Sequence, residues 1–310
     1  MRRVFWVISI WVSCVWGWIP QAVADAGNPP RKTRILLTFD DGPAIGVTDI
    51  VLEELDRRGI KSAFFLLTGP EKLVSWIPWG KTYTRAESQE GFETVVEEIR
   101  RGHMIGCHWG GRYGSQRNGH PPRLLEPSYD STGDGVVDKL SEKGNALESD
   151  LIHCRDTLNA ALEQANMGER EPDVMMQSQD SLSYIRPPVW NYKSKDGTLD
   201  ARPTYELFHW EMILSDTKLN DGETPIQGFP VSRRMNSEII KAIENGQSEV
   251  IVTMHDSNIR TANDLPGILD RLEKRLKNKG LIQGLHWDYT RTVSEVAAAM
   301  EGYIDRTDHN

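Results

Sequence analysis

LLTFDDGP, from Leu36 to Pro43, sets an apolar run against two adjacent carboxylates and a Gly-Pro turn. The run reads as a buried β-strand. Two neighbouring aspartates repel each other, and burying either one is costly unless something cationic compensates. A chain that places Asp40 and Asp41 at a strand end is therefore turning sharply into water or holding a metal.

Working outward, short apolar runs alternate with helical patterns. After the strand at 34–39, apolar residues at helical spacing run through 48–59 and stop at a glycine. Strands are expected at 61–67, 103–108, 183–188, 207–214, 248–256 and 283–289. Helices are expected at 92–102, 146–165, 236–246, 264–280 and 292–302. Strand and helix alternating from end to end predict an α/β fold with a parallel sheet, and the number of units suggests a barrel. Three long irregular stretches, 68–91, 109–145 and 189–206, interrupt the pattern, and loops of that length are usually functional or disordered.

The first residues stand apart. Arg2 and Arg3 precede an apolar stretch from Val4 to Ile19, followed by small residues at Ala22 and Ala24. This is the pattern of a secretory signal peptide over 1–24, and the stretch is shorter than the ~20 residues of a membrane span. An uncleaved, membrane-anchoring signal is the alternative. Cys14 follows Trp11 where a lipid-attachment site wants a small aliphatic residue. Residues 25–33 read as a linker, 34–302 as one catalytic domain and 303–310 as a tail. Cleavage after Ala24 takes the formal charge from −9 to −11, which argues against nucleic acid as a partner and suits a neutral or cationic polymer. Cys107 and Cys154 then remain, as a disulfide or as two buried thiols.

Polar residues interrupt the apolar strands at their C-terminal ends: Asp40 and Asp41, His108, Arg186, Asp216 and His255 with Asp256. In a parallel barrel these ends meet on one rim. Carboxylates, imidazoles and a guanidinium gathered there are what metal-assisted hydrolysis needs.

TFDDGP, GHMIGCH, IRPP, HWEMILSD and VIVTMHD, in that order, resemble the successive motifs of the polysaccharide deacetylase family, carbohydrate esterase family four. The resemblance runs from residue 34 to about residue 302. It implies a distorted, incomplete (β/α) barrel, a divalent metal, commonly zinc, and removal of N- or O-acetyl groups from a carbohydrate such as chitin, peptidoglycan or xylan. It makes Asp40 the general base, Asp41 and His108 metal ligands, and Arg186 the partner that keeps Asp40 ionised. The Val189 amide would donate to the oxyanion, and Asp216 would orient His255, the acid for the leaving group. His103 reads as structural.

The chain also departs from the family pattern. Four residues after His108, where a second histidine ligand is usual, stands Arg112, and a guanidinium does not ligate a cation. His120 is the nearest replacement; Cys107 should point away from His108 along its strand. Val189-Trp190 replaces an aromatic-glycine pair and Thr217 an aromatic, which would reshape the sugar cleft. Trp76, Trp79, Tyr83, Trp109 and Trp190 either stack on sugar or pin the loops. In 130–142, Asp130, Asp134 and Asp138 around Gly135 partly match a calcium loop, with a plain acidic turn as the alternative. Arg112 also leaves room for a non-catalytic carbohydrate-binding homologue. A hydrolase of small cyclic amides is a third reading, opposed by the secretion signal and the RPP motif.

Overall fold

A computed structural model describes residues 32–68, 86, 88–109, 140–166, 184–186, 211–212 and 231–308. By contacts the chain divides into Met1–Pro30 and Arg31–Asn310, and every described residue lies in the second unit. Its elements are β1 (Thr33–Gly42), α1 (Thr48–Arg58), β2 (Ala63–Leu67), α2 (Gln89–Arg100), β3 (Met104–Trp109), α3 (Leu140–Asn166), β4 (Tyr184–Ile185), β5 (Glu211–Met212), α4 (Val231–Glu244), β6 (Glu249–His255), α5 (Ile259–Asn278), β7 (Trp287–Tyr289) and α6 (Val293–Asp308).

The strands form a parallel sheet in the order β5-β4-β3-β2-β1-β6, with β7 paired to β1. Backbone bonds on β1 alternate between its two edges. Arg34 N–H donates to Ser248 O on the β6 side, at 2.8 Å, while Thr33 N–H donates to His286 O at 2.9 Å on the other. That second edge takes β7 beside Thr33–Ile35 and β2 beside Thr38–Gly42. Among the described residues β5 and β6 do not pair, so the sheet is not closed. The α/β fold with a parallel sheet is as expected.

The two-residue period of a strand separates two cores. Ile35, Leu37 and Phe39 pack against α1 through Val51, Leu52 and Leu55, in a cluster that also takes in Val95, Leu158, Ile239 and Leu269 of α2, α3, α4 and α5. Leu36, Phe65, Met104, Tyr184 and Ile251 share the other face with Val296, Ala299, Met300 and Tyr303 of α6. Continuing up that second face in steps of two, Leu36 leads through Thr38 to Asp40, Met104 through Gly106 to His108, Tyr184 to Arg186, and Ile251 through Thr253 to His255. The alternation that builds the core thus also aims the polar side chains to one side.

Local signals set the helix ends. Gly59 adopts φ +63° and stops α1, a conformation that glycine takes without steric cost. Ser88 caps α2 by accepting from Gly91 N–H at 3.0 Å. Three expected boundaries are corrected. The helix expected from Asp264 starts at Ile259, because the Asn258 side chain accepts from Arg260 N–H and caps it there; Pro266 lies inside the helix. The strand expected over 283–289 is only Trp287–Tyr289, since Gly284 at φ +81° turns the chain before it. The last helix continues to Asp308 and buries Tyr303.

Cys107 and Cys154 form a disulfide joining β3 to α3. Cys107 faces the helix-side core, opposite to His108 as the strand period requires, and its sulfur is not available as a metal ligand. His103 is buried, with Nδ1 accepting from Ser62 N–H at 3.1 Å and its ring edge-on to Phe64. It is structural, as expected. Burial, with Lys61 and Arg101 nearby, holds its pKa down at about 3.

That shift predicts a pH dependence of stability. With an ordinary histidine value of about 6.5 in the unfolded chain, the unfolded state binds more protons than the folded one between pH 6.5 and 3. Stability from a neutral buried His103 is complete above pH 6.5 and is lost as the pH falls towards 3. Urea unfolding of the parent and of His103→Gln from pH 7 to pH 4 should show the parent falling more steeply.

Candidate active site

β1 and β6 lie side by side with Asp40 opposite His255. Both are at strand C-termini, with His108 at the end of β3 and Arg186 directly after β4. All four side chains are buried, and Asp41 is buried beside them. The rim expected from the sequence therefore assembles for Asp40, Asp41, His108, Arg186 and His255. Val189, Trp190, Asp216, His120, Arg112, the acidic stretch Asp130–Asp138 and the loop aromatics Trp76, Trp79 and Tyr83 lie outside the described residues; Trp109 ends β3, but its side chain is likewise outside them.

The adjacent aspartates are separated by backbone geometry. Asp41 has φ +70°, a left-handed conformation uncommon for a residue other than glycine, and the β1–β2 register shifts between Asp40 and Gly42. This bulge lets two successive side chains serve one site, where a regular strand would send them to opposite faces. Asp40 takes the Arg186 guanidinium: Nη1 donates to Asp40 Oδ1 at 2.7 Å and to Thr38 Oγ1 at 2.7 Å. Arg186 is fully buried, so the carboxylate compensates a charge with no access to bulk water.

Asp41 faces the imidazoles instead. His108 Nε2 is 3.3 Å from Asp41 Oδ1, and His255 Nε2 is 3.9 Å from Asp41 Oδ2. The second ring nitrogen of His108 fixes its tautomer. Nδ1 is 2.6 Å from the Arg186 carbonyl oxygen, an acceptor, so Nδ1 carries the hydrogen. In the neutral ring Nε2 then presents a lone pair to the Asp41 carboxylate. Two acceptors facing each other at that distance need a proton or a cation between them. Burial alone would lower the His108 pKa, but the Asp40 and Asp41 carboxylates and the Arg186 carbonyl outweigh it and raise the value.

These two donors fit a metal. Ligands held tetrahedrally with bonds of about 2.1 Å stand about 3.4 Å apart, close to the His108–Asp41 separation. A ring N–H anchored on a backbone carbonyl is the usual way to orient a ligating histidine. Among the described residues no third His, Cys, Asp or Glu completes a cluster.

Asp256 has a role that the reading of the sequence missed. It turns inward, fully buried, and its Oδ2 accepts from Thr48 Oγ1 at 2.6 Å. Thr48 Oγ1 in turn accepts from Ala44 N–H at 2.9 Å. A Cβ placed on Gly42 would lie 2.1 Å from Asp256 Oδ2. The glycine of DDGP is therefore the seat of this carboxyl, which braces the β1 turn against the end of β6. Burial pushes the Asp256 pKa up to about 7. The sequence signal was the acid directly after His255, with no hint of which way it pointed.

Part of the chain is similar to known proteins. Residues 27–109 match the family described as polysaccharide deacetylase. Over those residues the chain is similar to the polysaccharide deacetylase family. The matched segment holds β1, β2 and β3, and with them Asp40, Asp41 and His108. A peptidoglycan-N-acetylglucosamine deacetylase of Bacillus cereus is 30% identical over 92 residues, 29% of this chain and 27% of that protein. The peptidoglycan-N-acetylglucosamine deacetylase PgdA of Listeria monocytogenes is 33% identical over 93 residues, 29% of this chain and 16% of that protein. The polysaccharide deacetylase match thus spans about a quarter or less of these relatives' length. Among solved structures, the chitin deacetylase of Colletotrichum lindemuthianum covers 84% of this chain and 88% of its own at 17% identity, with a TM-score of 0.47. The polysaccharide deacetylase Bc1974 of Bacillus cereus covers 84% and 91% at 16% identity, with a TM-score of 0.44.

Proposed function

We propose that the protein is a metal-dependent hydrolase that removes acetyl groups from a carbohydrate outside the cytoplasm. The observation that carries this reading is that His108 Nε2 and Asp41 Oδ1 face each other at 3.3 Å beside the Asp40–Arg186 ion pair. The relatives named above, which are peptidoglycan deacetylases, and the apolar leader at 4–19 support the substrate class and the compartment.

Asp41 and His108 would hold the metal, with His120 proposed as a further ligand. When bound, a divalent cation such as zinc lowers the pKa of water and polarises a carbonyl. Asp40 takes the proton of the attacking water, and Arg186 pairs with its carboxylate and turns it into the site. The Val189 amide is proposed to donate to the developing oxyanion. His255, opposite Asp40 in the register, gives a proton to the departing amine or alkoxide, and Asp216 is proposed to hold its ring. Trp190 is proposed to line the cleft. A calcium ion at Asp130, Asp134 and Asp138 is a separate proposal.

Two measurements on the mature protein test this. Elemental analysis should find about one zinc or similar ion per chain, lost in the Asp41→Ala/His108→Ala double variant. Acetate release should be seen from acetylated glucosamine oligomers or peptidoglycan fragments. Arg112, at the position of a usual ligand, favours the second reading, a carbohydrate-binding homologue without catalysis. Absence of metal even after zinc is supplied, with oligosaccharide binding retained, would establish that reading instead.

A further inference from the structure

The Arg186–Asp40 contact spans a long way across the sheet. Arg186 follows β4, Asp40 stands on β1, and β3 and β2 lie between them. Neighbouring strands are about 4.8 Å apart, so the guanidinium has to cross two strands over their second face. The residues in its path are set by register. Asp40 pairs with Phe65 on β2, and Phe65 pairs with Gly106 on β3.

Gly106 offers no side chain, and the space above it is taken by Phe65. A Cβ on Gly106 would lie 3.0 Å from two carbons of the Phe65 ring and 2.8 Å from the Tyr184 carbonyl oxygen. The ring is thus laid over the bare backbone of β3, where any larger residue would lift it. The same ring meets the arginine face-on: the Arg186 guanidinium carbon lies over it, 4.2 Å from the centroid of Phe65. Both Phe65 and Arg186 are fully buried. A cation over a ring face is attracted by the ring quadrupole, and most strongly where water is excluded.

We propose that Phe65, seated on Gly106, is a positioning residue: its ring face is the floor that carries the Arg186 guanidinium across β2 and β3 to Asp40. An aliphatic side chain could fill the same volume. It would supply no negative face, and the guanidinium would lose one of the partners that compensate its burial. The inference rests on the deacetylase reading only for its activity readout.

The test replaces Phe65 by phenylalanines carrying one, two and three fluorine atoms, which drain the ring face while nearly preserving its shape. Three quantities are followed: kcat and KM for acetate release, the melting temperature, and the NMR signals of the Arg186 guanidinium in the substrate-free protein. The expected result is a stepwise fall in kcat, up to about thirtyfold by the third fluorine, with KM little changed, a graded fall in melting temperature, and the Arg186 signals moving in the same order. A residue that only filled space would leave both kcat and the Arg186 signals flat across the series, and that result overturns the proposal. If the parent releases no acetate, the deacetylase reading fails by itself. The Arg186 signals then decide alone: graded movement supports the floor, and no movement rejects it.

Discussion

Asp40→Asn is expected to lower the rate of acetate release by about two to four orders of magnitude, the range by which a positioned base accelerates proton transfer. The amide keeps the size and the hydrogen-bond acceptor of the carboxylate and loses its basicity and charge. The same change should also weaken the fold. Arg186 is fully buried and its Nη1 is 2.7 Å from Asp40 Oδ1, so neutralising Asp40 takes a counter-charge away from a buried cation. Removing one member of such a pair costs about 3–5 kcal/mol. Chemical denaturation of Asp40→Asn and of the double variant Asp40→Asn/Arg186→Met separates the two effects. The double variant should regain much of the lost stability, since the buried cation is removed with its counter-charge, and none of the activity. If Asp40→Asn matches the parent in both measurements, neither the ion pair nor the proposed base has the importance given to it.

Gly42→Ala is expected to be among the most damaging single-methyl changes in the protein. Its Cβ would lie 2.1, 2.5 and 2.6 Å from the two oxygens and the Cγ of Asp256. That carboxyl has little freedom to retreat, being fully buried and bonded to Thr48 Oγ1. Overpacking a close-fitted site costs about 1–3 kcal/mol and occasionally more, and here the displaced groups are the β1 turn carrying Asp40 and Asp41 and the residue beside His255. Stability and activity should therefore fall together. Gly46→Ala is the matched control in the same turn. Gly46 has φ +70° but nothing within 4 Å of its added Cβ, so only backbone strain of about 1–2 kcal/mol is expected, with the rim intact. Equal effects of the two substitutions in melting and activity assays would remove the steric argument.

Much of this protein was determined by sequence periodicity. Alternating strand and helix patterns gave the order of the elements, because hydrophobic period is a local property of consecutive residues. The same two-residue period aimed Asp40, His108, Arg186 and His255 to one face and turned Cys107 away from it. Asp40 and Asp41 at a strand end announced a compensating cation, and Arg186 provides one directly. What the tertiary structure decided depends on residues far apart in the chain. The disulfide was left open by spacing and is set by the approach of α3 to β3. The left-handed bulge at Asp41 divides the two acids between Arg186 and the histidines, and no residue type at that position foretells it. The start of α5 at Ile259 arose from the Asn258 side chain, which could cap it, in competition with a later proline. Asp256 reads as one more acid on the rim, yet the space left by Gly42 and the hydroxyl of Thr48 draw it inside. Gly106 and Phe65 look like ordinary strand residues until the register of three strands lays one over the other, beneath an arginine from a fourth. Local pattern determined which residues reach the rim, and contacts between distant strands decided what each one faces there.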